Sequence, residues 1–186
     1  METSEINAIK QCQKGDLESF GNLYDKYIRK IYDFIYYKTN HQETAEDLTS
    51  KTFFKALNNI NKFNLNQGYF SAWLYRIARN TVIDHYRTQK NHSNIEEAWD
   101  ISNNENIEDN TNNKIQLEKI KKYLQKLNQD QRDIIIMKIW QEMNYQEIAE
   151  ILKKSEASCK MQFSRTIKKL REDIPIELLL LFILKI

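Results

Sequence analysis

Side chains suited to covalent or metal chemistry are few in this chain, and they do not converge. His41, His85 and His92 have no metal-ligand spacing, no H-E-x-x-H pair occurs, and no serine sits in G-x-S-x-G. Cys12 and Cys159 lie far apart without a C-x-x-C partner. Gly15, Gly21 and Gly68 stand alone, so no glycine-rich loop can turn a row of backbone N–H groups toward a phosphate. Asp84 lies near the apolar edge of its helical pattern, but no second catalytic group accompanies it, and a salt bridge or cap is the simpler role. These features argue against hydrolases, transferases and Walker or Rossmann nucleotide folds, and they point to no metal, cofactor or small-molecule substrate. Recognition of charge is the chemistry that remains. At 100° per residue, Arg76, Arg79, Asn80, Ile83 and Arg87 fall in one arc of a helix. Lysine outnumbers arginine 21 to 7 in the chain, so three guanidinium groups on one face favour bidentate phosphate contact over a merely solvated surface. A second arc holds Ala157, Met161, Ser164, Arg165 and Lys168, with Lys160, Lys169 and Arg171 at its edges. Small residues among cations allow close approach to a groove while supplying phosphate contacts.

The elements that must carry these arcs are helices. Three Gly and one Pro in 186 residues are too few for the frequent turns of a sandwich or barrel. A first helix is expected from about Ser4 to Gly15. A second is capped by Asp16 and carries a core stripe of Phe20, Leu23, Tyr24, Tyr27, Ile31, Phe34 and Ile35. A third, from about Gln42 to Ile60, packs through Ala45, Leu48, Thr52, Ala56 and Ile60. The fourth runs from Phe70 to about Thr88 and packs through Phe70, Trp73, Leu74, Ile77 and Thr81. Helical periodicity resumes at Lys114 with Ile115, Ile120, Tyr123, Leu124 and Leu127. Asn128 can cap a following helix that carries Ile135, Ile136, Ile139 and Trp140. Asn144 with Glu147 forms a capping-box signature for a short helix, Tyr145 to Leu152, and Ser155 caps a last, basic helix whose packing face is Cys159, Phe163, Thr166, Ile167 and Leu170. Two short helices across a tight turn, the second amphipathic and basic, is the sequence form of a helix-turn-helix. The predicted fold is all-α: two small helical domains, 1–90 and 114–174, joined by a flexible acidic linker, 91–113, with an apolar tail, 175–186.

Charge follows the same division. Residues 1–90 carry a net +3, residues 91–113 a net −6 and residues 114–186 a net +5, so two basic lobes are masked in a total of only +2. The middle stretch lacks the apolar periodicity needed to offset its ordering entropy. It reads either as a solvated spacer or as an acidic strand that competes with nucleic acid for a basic groove.

The run from Phe70 to Arg87, FSAWLYRIARNTVIDHYR, resembles the second conserved region of bacterial sigma factors of the extracytoplasmic-function group. Upstream, Ala45 to Ala56, AEDLTSKTFFKA, is similar to the helix those factors dock on the clamp of RNA polymerase. Tyr145 to Leu152 and Arg165 to Arg171 resemble their fourth conserved region. The sequence departs from the family pattern at Asn128, where proline is common, and at Lys153 and Ala157, where glycine often stands. The resemblance implies that Asp47, Leu48, Ser50, Lys51, Phe53 and Phe54 hold the polymerase. It implies that Arg76, Arg79, Asn80, Ile83 and Arg87 engage the minus-ten promoter element. The last helix, through Ala157, Ser158, Lys160, Met161, Ser164, Arg165 and Lys168, would read the minus-thirty-five element.

The implied partners are bacterial core RNA polymerase and promoter DNA, with room for an anti-sigma factor. The implied linker path is the polymerase channel later used by RNA. A freestanding helix-turn-helix regulator would explain the second lobe alone, and leaves the clamp-like helix without a role. The absence of a secretory pattern and of paired cysteines suggests a reduced, cytoplasmic protein. The apolar end, Ile176 to Ile186, is too short to span a bilayer. It suits a short helix folded back on the second lobe, a partner-docking surface or membrane association.

Overall fold

The structure is a computed structural model that describes residues 3–66, 68–90 and 126–173. The chain divides into two compact units, Met1–Ser102 and Asn103–Ile186. Every regular element among the described residues is helical.

In the first unit, α1 spans Thr3–Gln13, α2 Phe20–Thr39, α3 Gln42–Asn58 and α4 Phe70–Lys90, with a single 3-10 turn at Ile60–Lys62. α1 ends where Gly15 takes φ +101°, a conformation that costs glycine little. The expected cap of α2 by Asp16 is corrected by the structure. The Asp16 carboxylate accepts from the Ser19 hydroxyl at 2.7 Å, closing a turn, and α2 starts only at Phe20. At the other end of α2, Asn40 is left-handed at φ 52° and donates its N–H to the Tyr36 carbonyl. His41 then caps α3, its Nδ1 accepting from the Thr44 N–H at 3.2 Å. One of the three histidines thus holds a helix end.

The core of this unit is built from Ile9, Leu23, Ile31, Phe34, Ile35, Leu48, Ile60, Phe70 and Leu74, all almost fully buried. Tyr24, expected in it, is 41% exposed; its ring instead lies over Phe53, centroids 4.8 Å apart. α4 buries more of its circumference than one arc. Besides Phe70, Leu74 and Thr81, it buries Ala72, Tyr75, Ala78 and Val82, because it packs against both α2 and α3. Tyr75 meets Phe34 edge-on at 5.2 Å. Two polar ties fix the frame. Buried Glu5 of α1 accepts from Lys26 Nζ at 2.7 Å and from the Tyr27 hydroxyl at 3.2 Å. The Gln13 side-chain amide donates to the carbonyls of Ile60 and Phe63 at 3.0 and 2.7 Å, anchoring the segment that leads into α4.

In the second unit, α5 spans Gln129–Ile135 and runs into a π-helical turn, Ile136–Trp140; α6 spans Tyr145–Leu152 and α7 Glu156–Asp173. Ile115, Ile120, Tyr123 and Leu124 lie outside the described residues, as do His92 and the apolar tail. The three expected caps are present. Asn128 and Gln131 form a reciprocal capping box, as do Asn144 and Glu147, and Ser155 Oγ accepts from the Ser158 N–H at 3.2 Å. Each satisfies backbone donors that a helix start leaves orphaned. Leu127, Ile135 and Leu170 form a core with Ile139, Trp140, Phe163 and Ile167 against it. Cys159 is fully buried, and burial pushes its thiol pKa up, as expected of a small core hydrophobe.

Candidate polymerase and nucleic-acid interfaces

On α3 the outward residues are Glu46, Asp47, Ser50, Lys51, Phe54 and Lys55. Phe54 is 67% exposed, a large apolar surface beside the Asp47–Lys51 ion pair. Leu48 and Phe53, also expected to hold polymerase, face the other way. Leu48 is 1% and Phe53 5% exposed, because their positions on α3 point into α2 and α4, so they support the helix and cannot contact a partner directly. A groove that sequence periodicity did not reveal runs along the same side. It has a volume of about 480 Å³ and is lined by Tyr24, Ile28, Arg29, Tyr32, Glu46 and Ser50, among others. Tyr24, three residues before buried Tyr27 and four after buried Phe20, is itself exposed and lines it.

α4 leaves Asn80 and Arg87 exposed and Arg76, Arg79 and Ile83 half-buried, on a side away from its contacts with α3. Asp84 has the structural role expected of it, between Lys55 Nζ at 3.8 Å and Arg87 Nη1 at 3.7 Å. These are solvated pairs that orient side chains more than they stabilise the fold. His85 lies on the α3-facing side of α4. Burial holds its imidazole below the usual pKa of 6.5, with Lys51 acting in the same direction and Asp47 against it.

In the second unit the turn between α6 and α7 is made by Lys153, which adopts φ 54°, ψ 47° where the family often has glycine. Its left-handed backbone lets its N–H and that of Lys154 both reach the Ala149 carbonyl, so the bend is kept without glycine. Lys154 then pins the turn, pairing with Asp130 at 2.6 Å and donating to Gln162 at 3.4 Å. α7 packs through Cys159, Phe163, Thr166, Ile167 and Leu170, as its sequence predicts. Its other side exposes Ala157, Lys160, Met161, Ser164, Arg165 and Lys168, with Ser158 half-buried. The Lys138 and Lys160 ammonium groups lie 4.8 and 5.7 Å from the centroid of the Tyr145 ring. That contact was not evident from periodicity, since it joins three segments.

Two helical units, one with an arginine face and one with a helix-turn-helix, match two family models in the same order. Residues 23–92 match sigma-70 region 2 and residues 117–170 match sigma-70 region 4. An RNA polymerase sigma factor of Bacillus subtilis, YlaC, is 34% identical over 73% of this chain and 80% of its own length. The chain is an RNA polymerase sigma factor of the extracytoplasmic-function type. It is a promoter-directing factor and not a freestanding helix-turn-helix regulator, and its family consists of initiation factors without enzymatic activity. The sigma factor is also 31% identical to BldN of Streptomyces coelicolor, over 91% of this chain and 66% of the relative. Its fold resembles that of RpoE from Bartonella quintana, solved with the anti-sigma factor NepR, at a TM-score of 0.65 and 24% identity, covering 83% of this chain and 96% of that one. Among the described residues no helix is long and apolar enough to cross a membrane.

Proposed function

We propose that this sigma factor binds core RNA polymerase through the exposed side of α3, opens the minus-ten element with α4 and reads the minus-thirty-five element with α7. The observation that carries this reading is the two-sidedness of the three helices. Each packs one largely apolar side against its neighbours and leaves outward a set of side chains matched to one task. For polymerase these are Asp47, Ser50, Lys51 and Phe54, a mixed polar and aromatic surface of the kind that anchors protein interfaces. For strand opening they are Arg76, Arg79, Asn80, Ile83 and Arg87, able to hold phosphate and unstacked bases. For duplex reading they are the exposed side of α7, a helix presented as a major-groove reader.

The functional divisions are residues 1–90, the acidic linker 91–113, residues 114–174 and the tail 175–186. Neither basic surface is large, so the free protein binds promoters weakly, and tight binding arises when both are linked on core polymerase. The family resemblance and a neighbour solved with its anti-sigma factor support a protein partner that holds this factor inactive in the cytoplasm. Run-off transcription with purified core polymerase on a genomic fragment library tests the whole reading. Initiation at a defined set of fragments is expected; no initiation above core alone overturns it. Equal promoter affinity with and without core in a gel-shift assay would contradict the linkage argument.

A further inference from the structure

In a helix-turn-helix, the N-terminal turns of the second helix lie against base edges. In α7 those turns hold little that can form paired hydrogen bonds with a base. Gln162 is the one side-chain amide of the helix, and it is half-buried and already accepts from Lys154. The Lys160 ammonium is drawn toward the Tyr145 ring. Ser158 is half-buried at the capped start of the helix, and the first guanidinium is that of Arg165, more than two turns in.

Besides the charged Glu156 and Lys160, what faces outward in these turns is apolar, Ala157 and Met161. Met161 is 49% exposed, whereas Cys159 and Leu170 of the same helix are fully buried and Phe163 and Ile167 pack on the core. Ala157 lies one turn before it and Arg165 one turn after, on the same exposed side as Ser164 and Lys168. An apolar side chain held among phosphate-seeking cations meets one apolar group in the major groove, the C5-methyl of thymine.

We propose that Met161, with Ala157 beside it, reads thymine methyl groups of the upstream promoter element, so that this sigma factor specifies A·T pairs there by apolar contact. The proposal rests on the reading of α7 as the recognition helix.

The test uses the reconstituted holoenzyme on a promoter recovered by run-off transcription. Each thymine of the upstream element, on either strand, is replaced in turn by deoxyuridine, which removes only the methyl group. Binding should weaken about fourfold at one or two positions, the value of one buried methyl. In Met161→Ala the methyl effect should be lost at one position at least, and in Met161→Leu, which keeps an apolar contact, the sensitivity should return. Thermal unfolding of both variants should match the wild type, since the side chain is exposed. An upstream element with no methyl-sensitive thymine, or sensitivity unchanged in Met161→Ala, overturns the proposal. The double variant Arg165→Ala with Lys168→Ala separates the two layers. If it leaves affinity unchanged, the recognition-helix reading falls and the methyl proposal with it; if affinity drops while no methyl effect exists, only the methyl proposal falls.

Discussion

Phe53 and Phe54 are neighbours in sequence with opposite fates, and exchanging each for alanine separates the stability of the first unit from its binding surface. Phe53 is 5% exposed and packs edge-on against Phe20 and Tyr24, with centroids 6.4 and 4.8 Å away. Removing a buried phenyl ring costs about 3–5 kcal/mol through lost transfer energy and the cavity left behind. A unit of this size has a total stability of roughly 5–15 kcal/mol, and each kcal/mol moves its midpoint by roughly 4–8 °C. Phe53→Ala should therefore lower the melting transition of the first unit by about 15–30 °C, followed by circular dichroism on the full chain. Phe54 is 67% exposed, so Phe54→Ala should change stability by no more than about 0.5 kcal/mol. If Phe54 anchors core polymerase, its truncation should cost about 2 kcal/mol of binding, roughly a thirtyfold weaker Kd, measured by anisotropy of labelled protein titrated with core. A Phe54→Ala protein that melts as low as Phe53→Ala would refute the assignment of the two sides of α3. A core affinity within about twofold of wild type would refute the anchor.

Four further outcomes are expected. Lys153→Gly should stabilise the second unit by about 0.5–1 kcal/mol in urea unfolding, because a side chain at φ 54° carries a strain that glycine lacks, partly offset by glycine's greater unfolded-state freedom; Asn144→Ala should cost about 1 kcal/mol by breaking the capping box of α6. Replacing Arg165 and Lys168 with alanine should weaken holoenzyme binding across promoters and flatten the dependence of log affinity on log salt by about two units of slope, and an unchanged slope would show that neither contacts phosphate. For His85, whose folded pKa lies below 6.5, the folded chain takes up its proton later on acidification than the unfolded chain does. The stability contributed by the neutral ring is complete above pH 6.5 and is lost as pH falls from 6.5 through the folded value. His85→Gln should remove that loss, and an NMR titration midpoint at or above 6.5 would contradict it.

The sequence made the helix ends of the second unit readable residue by residue. Asn128, Asn144 and Ser155 all cap the helices they were expected to cap, and α6 has the expected bounds, Tyr145–Leu152. A cap acts within three residues on backbone donors of its own chain segment, so its evidence is local. Asp16 shows where locality stops. Its carboxylate does accept from residue 19, but that contact closes a turn, and α2 begins later. The packing side of α7 was equally legible, because a helix lying on one core shows a single apolar stripe.

On α3 and α4 the sequence was insufficient, for a reason that bears on the candidate site. A helix packed between two neighbours buries more than one stripe, so Tyr75 and Val82 are enclosed outside the expected arc of α4. Leu48, Phe53 and Phe54 sit within a family motif that names a surface, yet of these three apolar side chains Phe54 alone reaches it. Tyr24 matches the period of a core residue and lies half outside, lining a groove between α2 and α3. Residue type and spacing determined that this chain forms helices, where several begin, that its chemistry is recognition of charge and which family it resembles. Which members of each motif face a partner was decided by the neighbouring helices, because burial is a property of what packs against a residue and cannot be read from the residue alone.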